Sequence, residues 1–240
     1  MIWVHKGCRV ENKLEILYED NHLIAVTKPA GVRSTHFDGT NETVDRAVKA
    51  YLKEKYQKPG NVFLGIVHRL DLPTSGVLLF ARTSKAAARL SEQFRESAIE
   101  KVYWAVISGE INPSNGTMID WLWKDPLGKH VQALRTNAPD AKRAETNYRT
   151  TASSDGLSLL ELHPQTGRTH QLRVQLASRG HPIIGDKMYG SRSPFPNGIA
   201  LHARSLRFEH PTSHDRIVLN AEVPKEWRLR FPPSLLSAAS

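Results

Sequence analysis

The chain has 240 residues, 40% hydrophobic and 24% charged, enough apolar material for a sizeable core and for one globular domain spanning 1–240. Lysine and arginine total 33 against 24 acidic residues, a formal charge of +9, so a polyanionic partner is expected. A single cysteine, Cys8, excludes an intramolecular disulfide and any CxxC zinc or redox site, and a reducing, cytoplasmic setting fits.

Taken in chain order, residues 14–18 and 22–27 read as short strands around an Asp20-Asn21 turn, after which Pro29 and Gly31 break regularity. Asn41 or Thr43 is placed to cap a helix whose stripe is Val44, Ala47, Val48, Tyr51 and Leu52, ending at Lys58-Pro59-Gly60-Asn61. Two apolar runs, 62–67 and 77–81, read as buried strands on either side of a polar loop. Ser84 then starts a helix with Ala87, Leu90 and Phe94 inward, and 101–107 returns as a strand. Residues 112–142 are rich in Pro, Gly, Asn and charge, broken by 118–123, and predict a long connection with one short hairpin. Its Lys124, Lys129, His130, Arg135, Lys142 and Arg143 suit phosphate or a plain solvated face equally. A hairpin across Ser154-Asp155-Gly156 joins 144–151 to 157–163, a helix runs from about Thr169 to Arg179, and the tail carries strands at 199–208 and 216–223 before a helical turn at 224–230. Strands and helices interspersed with hairpins argue for an α+β fold with a mixed, mostly antiparallel sheet.

The loop between the two apolar runs is His68-Arg69-Leu70-Asp71-Leu72-Pro73-Thr74-Ser75-Gly76. A carboxylate raised on a strand-bound loop and flanked by His68 and Arg69 suits a nucleophile that stays ionised beside an anionic substrate, although most loop aspartates cap turns or pair with cations. No HExxH, GxxxxGK[ST] or strand-linked GxGxxG occurs, so neither metal nor nucleotide cofactor is expected. No stretch reaches the roughly 20 apolar residues needed to span a bilayer, and residues 1–6 lack a signal peptide's apolar core, so no membrane association is expected.

Four ordered blocks carry a resemblance to the RluA family of pseudouridine synthases. They are Glu19 to Gly31, ending in Lys28-Pro29-Ala30-Gly31; the His-Arg-Leu-Asp-x-x-Thr-Ser-Gly run at 68–76; Lys101-Val102-Tyr103-Trp104-Ala105; and Pro164 to Val174, continuing through Gly180 to Asp186. The resemblance covers about residue 15 to the end, with a core of about 15–232. It implies a mixed β-sheet flanked by helices with a central RNA-binding cleft, and, since the first block begins near residue 15, a catalytic domain without the S4-like module that many relatives carry.

The resemblance also implies an activity, the isomerisation of uridine to pseudouridine in structured rRNA or tRNA, without a cofactor and in a monomer. Asp71 matches the family nucleophile. Attack at C1′, proton removal at C2′ and addition to uracil C6 all use the same side chain and stay open. Tyr103 matches the tyrosine that stacks on the target base, and Arg168 the basic residue that pairs with the aspartate. Arg69 matches the residue that presses into the stack where the flipped uridine leaves, and Leu172 the aliphatic side chain that closes the uracil pocket. Lys28 and His68 count with them as RNA contacts. His170 and Arg173 face either phosphate or the protein interior. Thr74, Ser75 and Gly76 support the loop, Thr166-Gly167 shapes the turn that presents Arg168, and Gln175 departs from the family's usual histidine, affecting RNA contact or packing. Two rivals remain: a glycoside hydrolase using Glu161 or Asp186 as the second carboxylate, and an RNA-binding factor that has lost catalysis.

Overall fold

A computed structural model describes residues 3–5, 8–10, 14–36, 42–126 and 130–236; the alternative cap Asn41 and the loop cation Lys129 lie outside the described residues. In chain order the elements are β1 (Trp3–His5), β2 (Cys8–Val10), β3 (Ile16–Glu19), β4 (Leu23–Lys28), α1 (Val44–Lys55), β5 (Gly65–Ile66), β6 (Ser75–Ala81) and α2 (Ser84–Arg95). There follow β7 (Glu100–Ser108), β8 (Asn115–Lys124), β9 (Val131–Leu134), β10 (Lys142–Ser154), β11 (Leu157–Pro164), α3 (Gln171–Ala177), β12 (Leu201–Glu209), β13 (Arg216–Asn220), α4 (Lys225–Arg230) and α5 (Pro233–Leu236). The chain divides into two compact units, one made of Met1–Ile99 with Ser205–Ala221 and the other of Glu100–Arg204 with Glu222–Ser240.

In the first unit β3 pairs antiparallel with β4 and β4 with β6, in a register that sets Lys28 opposite Gly76. The Asp20 carboxylate makes the turn between β3 and β4 by accepting the His22 and Leu23 N–H groups at 2.8 and 2.7 Å. Helix α1 follows Thr43 and buries Val44, Ala47, Val48 and Leu52; Tyr51, expected on the same stripe, is half-buried and donates its hydroxyl to Glu19 at 2.9 Å. The hydroxyl of Thr83 caps α2 by accepting the Ala86 N–H at 3.2 Å. Every residue of β6 is buried, and its Val77, Leu79 and Ala81 form a core with Leu23, Ala25, Leu90 and Phe208. Each such leucine contributes about 1.5–3 kcal/mol through burial.

The second unit is a run of antiparallel pairs, β7 with β11, β11 with β10, β10 with β8 and β8 with β9. Asp155 and Gly156, at φ 53° and 69°, turn β10 back into β11 as expected. Helix α3 covers one face of this sheet and ends before Gly180, whose φ of 85° stops it.

Two expectations fail locally. The run 62–67 is not a buried strand: only Gly65 and Ile66 pair with β6, while Phe63 and Ile66 are 52% and 40% exposed. The segment 112–142 holds much more strand than one short hairpin, because β8 has ten residues, 115–122 paired with β10 and 121–124 with β9. Its alternation was masked by Asp120, which faces inward between Met118 and Leu122 and is buried there by the Arg179 guanidinium at 2.8 Å.

Gly65 explains how β5 lies so close to α2. A Cβ at that position would stand 2.7 Å from the Ala87 Cβ and 3.3 Å from the Ala81 Cβ, neither of which can swing aside. Gly65→Ala should therefore lower unfolding stability by roughly 1–3 kcal/mol, and adding Ala87→Gly should recover part of that loss in a denaturant-melt cycle. Strict additivity of the two changes would mean that the close approach does not exist.

Candidate active site

Asp71 sits in a loop whose backbone is held on both sides. Before it, the buried Ser34 hydroxyl donates to the Leu70 carbonyl at 2.8 Å and accepts the Leu70 N–H at 3.0 Å. Its own carbonyl accepts the Thr74 N–H at 3.1 Å, closing the Asp71-Leu72-Pro73-Thr74 turn. After it, the Leu72 carbonyl accepts the Gly31 N–H at 2.9 Å and the Lys28 ammonium at 3.2 Å. Gly31 has a φ of 80° and Gly76, where the loop enters β6, a φ of 118°, conformations that a side chain would strain. The first and second sequence blocks are thus two halves of one rigid corner.

Lys28 is not an RNA contact. Its side chain is fully buried, and besides the Leu72 carbonyl it donates to the Pro29 and Val32 carbonyls at 2.8 and 2.7 Å. Three acceptors match the three N–H donors of an ammonium. Burial pushes this group down to about 7, while the nearby Asp71 carboxylate pulls it up. Lys28 is thus a cation beside Asp71 that the local sequence, which offered His68 and Arg69 for that place, did not indicate. The His68 ring instead stacks on Phe94 at 4.8 Å between centroids, and its Nε2 accepts the Leu79 N–H at 2.9 Å. Arg69 is exposed.

In the second unit Tyr103 lies on β7 opposite Leu162, partly buried against the core, and Leu172 is itself a core residue at 6% exposure. Arg168 is exposed, and its Nε–H donates to the Arg143 carbonyl at 3.2 Å. The turn that presents it is set by Gln171. The amide oxygen of that residue accepts the Thr166 hydroxyl at 2.8 Å and the Arg168 N–H at 3.0 Å, while its nitrogen donates to the Glu145 carbonyl at 3.0 Å and the Thr146 hydroxyl at 2.9 Å. His170 follows with a φ of 55° and lies 2.7 Å from the Tyr189 hydroxyl through Nδ1. Of the two places open to Arg173, the structure takes the interior: it is 4% exposed and forks onto Asp186 at 2.7 and 2.9 Å, an ion pair that removes it from solvent. Gln175 is fully buried, accepting the Thr146 hydroxyl at 2.7 Å and donating to Asp120 at 2.9 Å, so the departure from histidine serves packing.

Ser34 and Gln171 were missed in the sequence. Gln171 left a signal, since Gln171 and Gln175 are polar residues one turn apart on a helix whose other residues, Arg173 apart, are apolar. Ser34 left none beyond its nearness to the first block. The loop cations are partly accounted for: Arg143 pairs with Glu145 at 2.6 Å, and Arg135 comes within 3.9 Å of Asp120. The second carboxylate of a glycosidase finds no support. Asp186 is committed to Arg173, and although burial raises the Glu161 carboxyl, hydrogen bonds from Arg149 and His163 at 2.9 and 2.8 Å hold it below its ordinary range, the reverse of a proton donor. Among the described residues no three His, Cys, Asp or Glu side chains gather as metal ligands, and no helix is long and apolar enough to cross a membrane.

Comparison with known proteins gives the same direction. Residues 22–178 match the family model of the RNA pseudouridylate synthases. The chain is 35% identical over 236 residues to the ribosomal large subunit pseudouridine synthase D of Zymomonas mobilis, covering 93% of this chain and 74% of that protein. It is 34% identical over 238 residues to the tRNA pseudouridine synthase C of Vibrio parahaemolyticus, covering 91% and 94%. The solved human RNA pseudouridylate synthase domain containing 4 shares the fold, with a TM-score of 0.75 at 24% identity over 93% of this chain and 92% of that one.

The buried ammonium sets a pH dependence. From about 7 up to the ordinary lysine value of 10.5, the unfolded chain holds a proton that the folded chain has shed. Stability from this group therefore grows as pH rises through that window and is lost as pH falls to about 7. Lys28→Met should unfold more easily, and its deficit against wild type, read from denaturant melts between pH 7 and 9.5, should widen with pH. A deficit that stays constant would mean that Lys28 does not titrate there.

Proposed function

The chain belongs to the RluA family of RNA pseudouridine synthases and isomerises uridine to pseudouridine in RNA; on that premise we propose that Asp71 is its catalytic carboxylate. The observation that carries the proposal is the fixed backbone at Leu70, Asp71 and Leu72, with the Lys28 charge buried beside it. A catalytic group held within a fraction of an ångström avoids the ordering cost of finding its substrate. The reaction balances without a co-reactant: the C1′–N1 bond breaks, C1′ bonds to C5, C5 gives up its proton and N1 takes one. What it requires of the protein is a carboxylate able to attack C1′, take a proton from C2′ or add to C6.

Tyr103 and Arg168 complete the reading. Tyr103 offers a ring for the detached uracil to stack on, and Arg168 a planar cation for the carboxylate, roles supported by their match to the family blocks. Arg69, exposed beside the nucleophile, takes the space left by the flipped uridine. The substrate is a structured RNA, transfer or large-subunit ribosomal, met by a monomer in the cytoplasm. Mapping pseudouridines in RNA from cells with and without this gene identifies the class and the uridine; an unchanged map would remove the reading.

Asp71→Asn keeps the shape of the side chain and removes its charge. It should bind RNA as wild type does and lose isomerisation by roughly a thousandfold or more; residual turnover within about tenfold of wild type would displace Asp71. Arg168→Lys should not restore what Arg168→Ala loses, because a point charge does not reproduce the fork. If Arg168 acts through Asp71, the double change Arg168→Ala with Asp71→Asn costs little more than Asp71→Asn in single-turnover rate. Additive losses would return Arg168 to phosphate binding.

A further inference from the structure

The two clamps around Asp71 differ in kind. After Asp71 the Leu72 carbonyl has two independent donors, the Gly31 N–H and the Lys28 ammonium. Before it, one side chain serves both polar groups of the Leu70 backbone. We infer that Ser34 is a positioning residue for the isomerisation, fixing through Leu70 the direction in which the Asp71 carboxylate leaves its loop. The inference rests on the reading of Asp71 given above.

A hydroxyl has one donor and two acceptor lone pairs, so Ser34 can meet an N–H and a C=O of the same residue where a neighbouring strand ordinarily would. Both residues are buried, Ser34 at 4% and Leu70 at 7% exposure, so water does not replace the bonds if the hydroxyl is removed. Ser34 is itself held from behind by the first turn of α1. The Val44 N–H donates to the Arg33 carbonyl at 3.0 Å and the Asp45 N–H to the Ser34 carbonyl at 3.2 Å. The Asp45 carboxylate, 1% exposed, accepts the His36 N–H at 3.1 Å and meets His36 Nδ1 at 2.9 Å. The chain of support therefore runs from α1 to Ser34, from Ser34 to Leu70, and from Leu70 to the nucleophile.

If Ser34 did no more than satisfy buried polar atoms, its loss would lower stability and leave turnover per folded molecule unchanged. A positioning role predicts a different split. Ser34→Ala and Ser34→Cys, the latter close in size but a weak hydrogen bonder, are compared with wild type well below their melting temperatures, with Leu90→Val as a destabilised core control. In single-turnover assays at saturating RNA, both Ser34 variants should slow product formation by about 10–100-fold with RNA affinity within about twofold of wild type, while Leu90→Val keeps the wild-type rate. Ser34→Thr, which restores the hydroxyl, should recover most of the rate if it folds. Wild-type rates in folded Ser34→Ala and Ser34→Cys, or parallel losses of rate and affinity, would overturn the inference. Asp71→Asn is run beside them: if it still turns over, the reading of Asp71 fails, whereas an inactive Asp71→Asn with fully active Ser34 variants rejects the role of Ser34 alone.

Discussion

The buried ammonium of Lys28 is the contact on which the corner that carries Asp71 depends. Removing a charge from water costs several kcal/mol even after relaxation, and three carbonyl acceptors and a carboxylate neighbour offset only part of that cost, since burial still brings the group down to about 7. Two of those acceptors lie within four residues of Lys28 and the third, Leu72, is 44 residues along the chain from it, so the lysine can be satisfied only when the 28–32 corner and the Asp71 turn are both in place. A charge with this requirement specifies one arrangement of the loop, because any looser alternative leaves it stranded.

The second unit solves a similar problem with neutral groups. Gln171 and Gln175 sit on the buried face of α3 and tie it to β10 and β8 through side-chain amides, each of which both donates and accepts. Amides cost less to bury than charges and need no ionised partner. Around them Arg173 with Asp186 and Arg179 with Asp120 are ion pairs drawn into the protein. Breaking a buried pair of this kind from one side typically costs about 3–5 kcal/mol, which makes these arginines part of the scaffold.

That distribution bears on how the surplus of positive charge is used. A formal +9 suggests a surface made for polyanions, yet Lys28 and Arg173 are inside the protein and Arg143 and Arg149 each carry a glutamate partner. Net charge counts every cation alike, whereas phosphate recognition depends on the cations that remain accessible. Arg69 and Arg168, both exposed, are cations of that second kind.

The sequence by itself determined the α+β class, the order of most elements and the loop proposed to carry the chemistry, because these follow from local quantities: apolar periodicity, turn residues, and ordered motifs. The Ser154-Asp155-Gly156 hairpin and the stripe of α1 were legible for that reason. What only the tertiary structure decided was which polar residues are inside. Lys28 read as an RNA contact, Arg173 as facing either phosphate or the interior, Gln175 as either a packing residue or an RNA contact, and Asp120 and Ser34 as nothing in particular, since the partners that make their burial tolerable lie on other elements. The apolar run at 62–67 erred in the opposite sense: its side chains had the character of a core strand, but only Gly65 and Ile66 pair with β6, and Phe63 and Ile66 are exposed. Burial is a property of the neighbours that folding supplies, and no local window of sequence contains them.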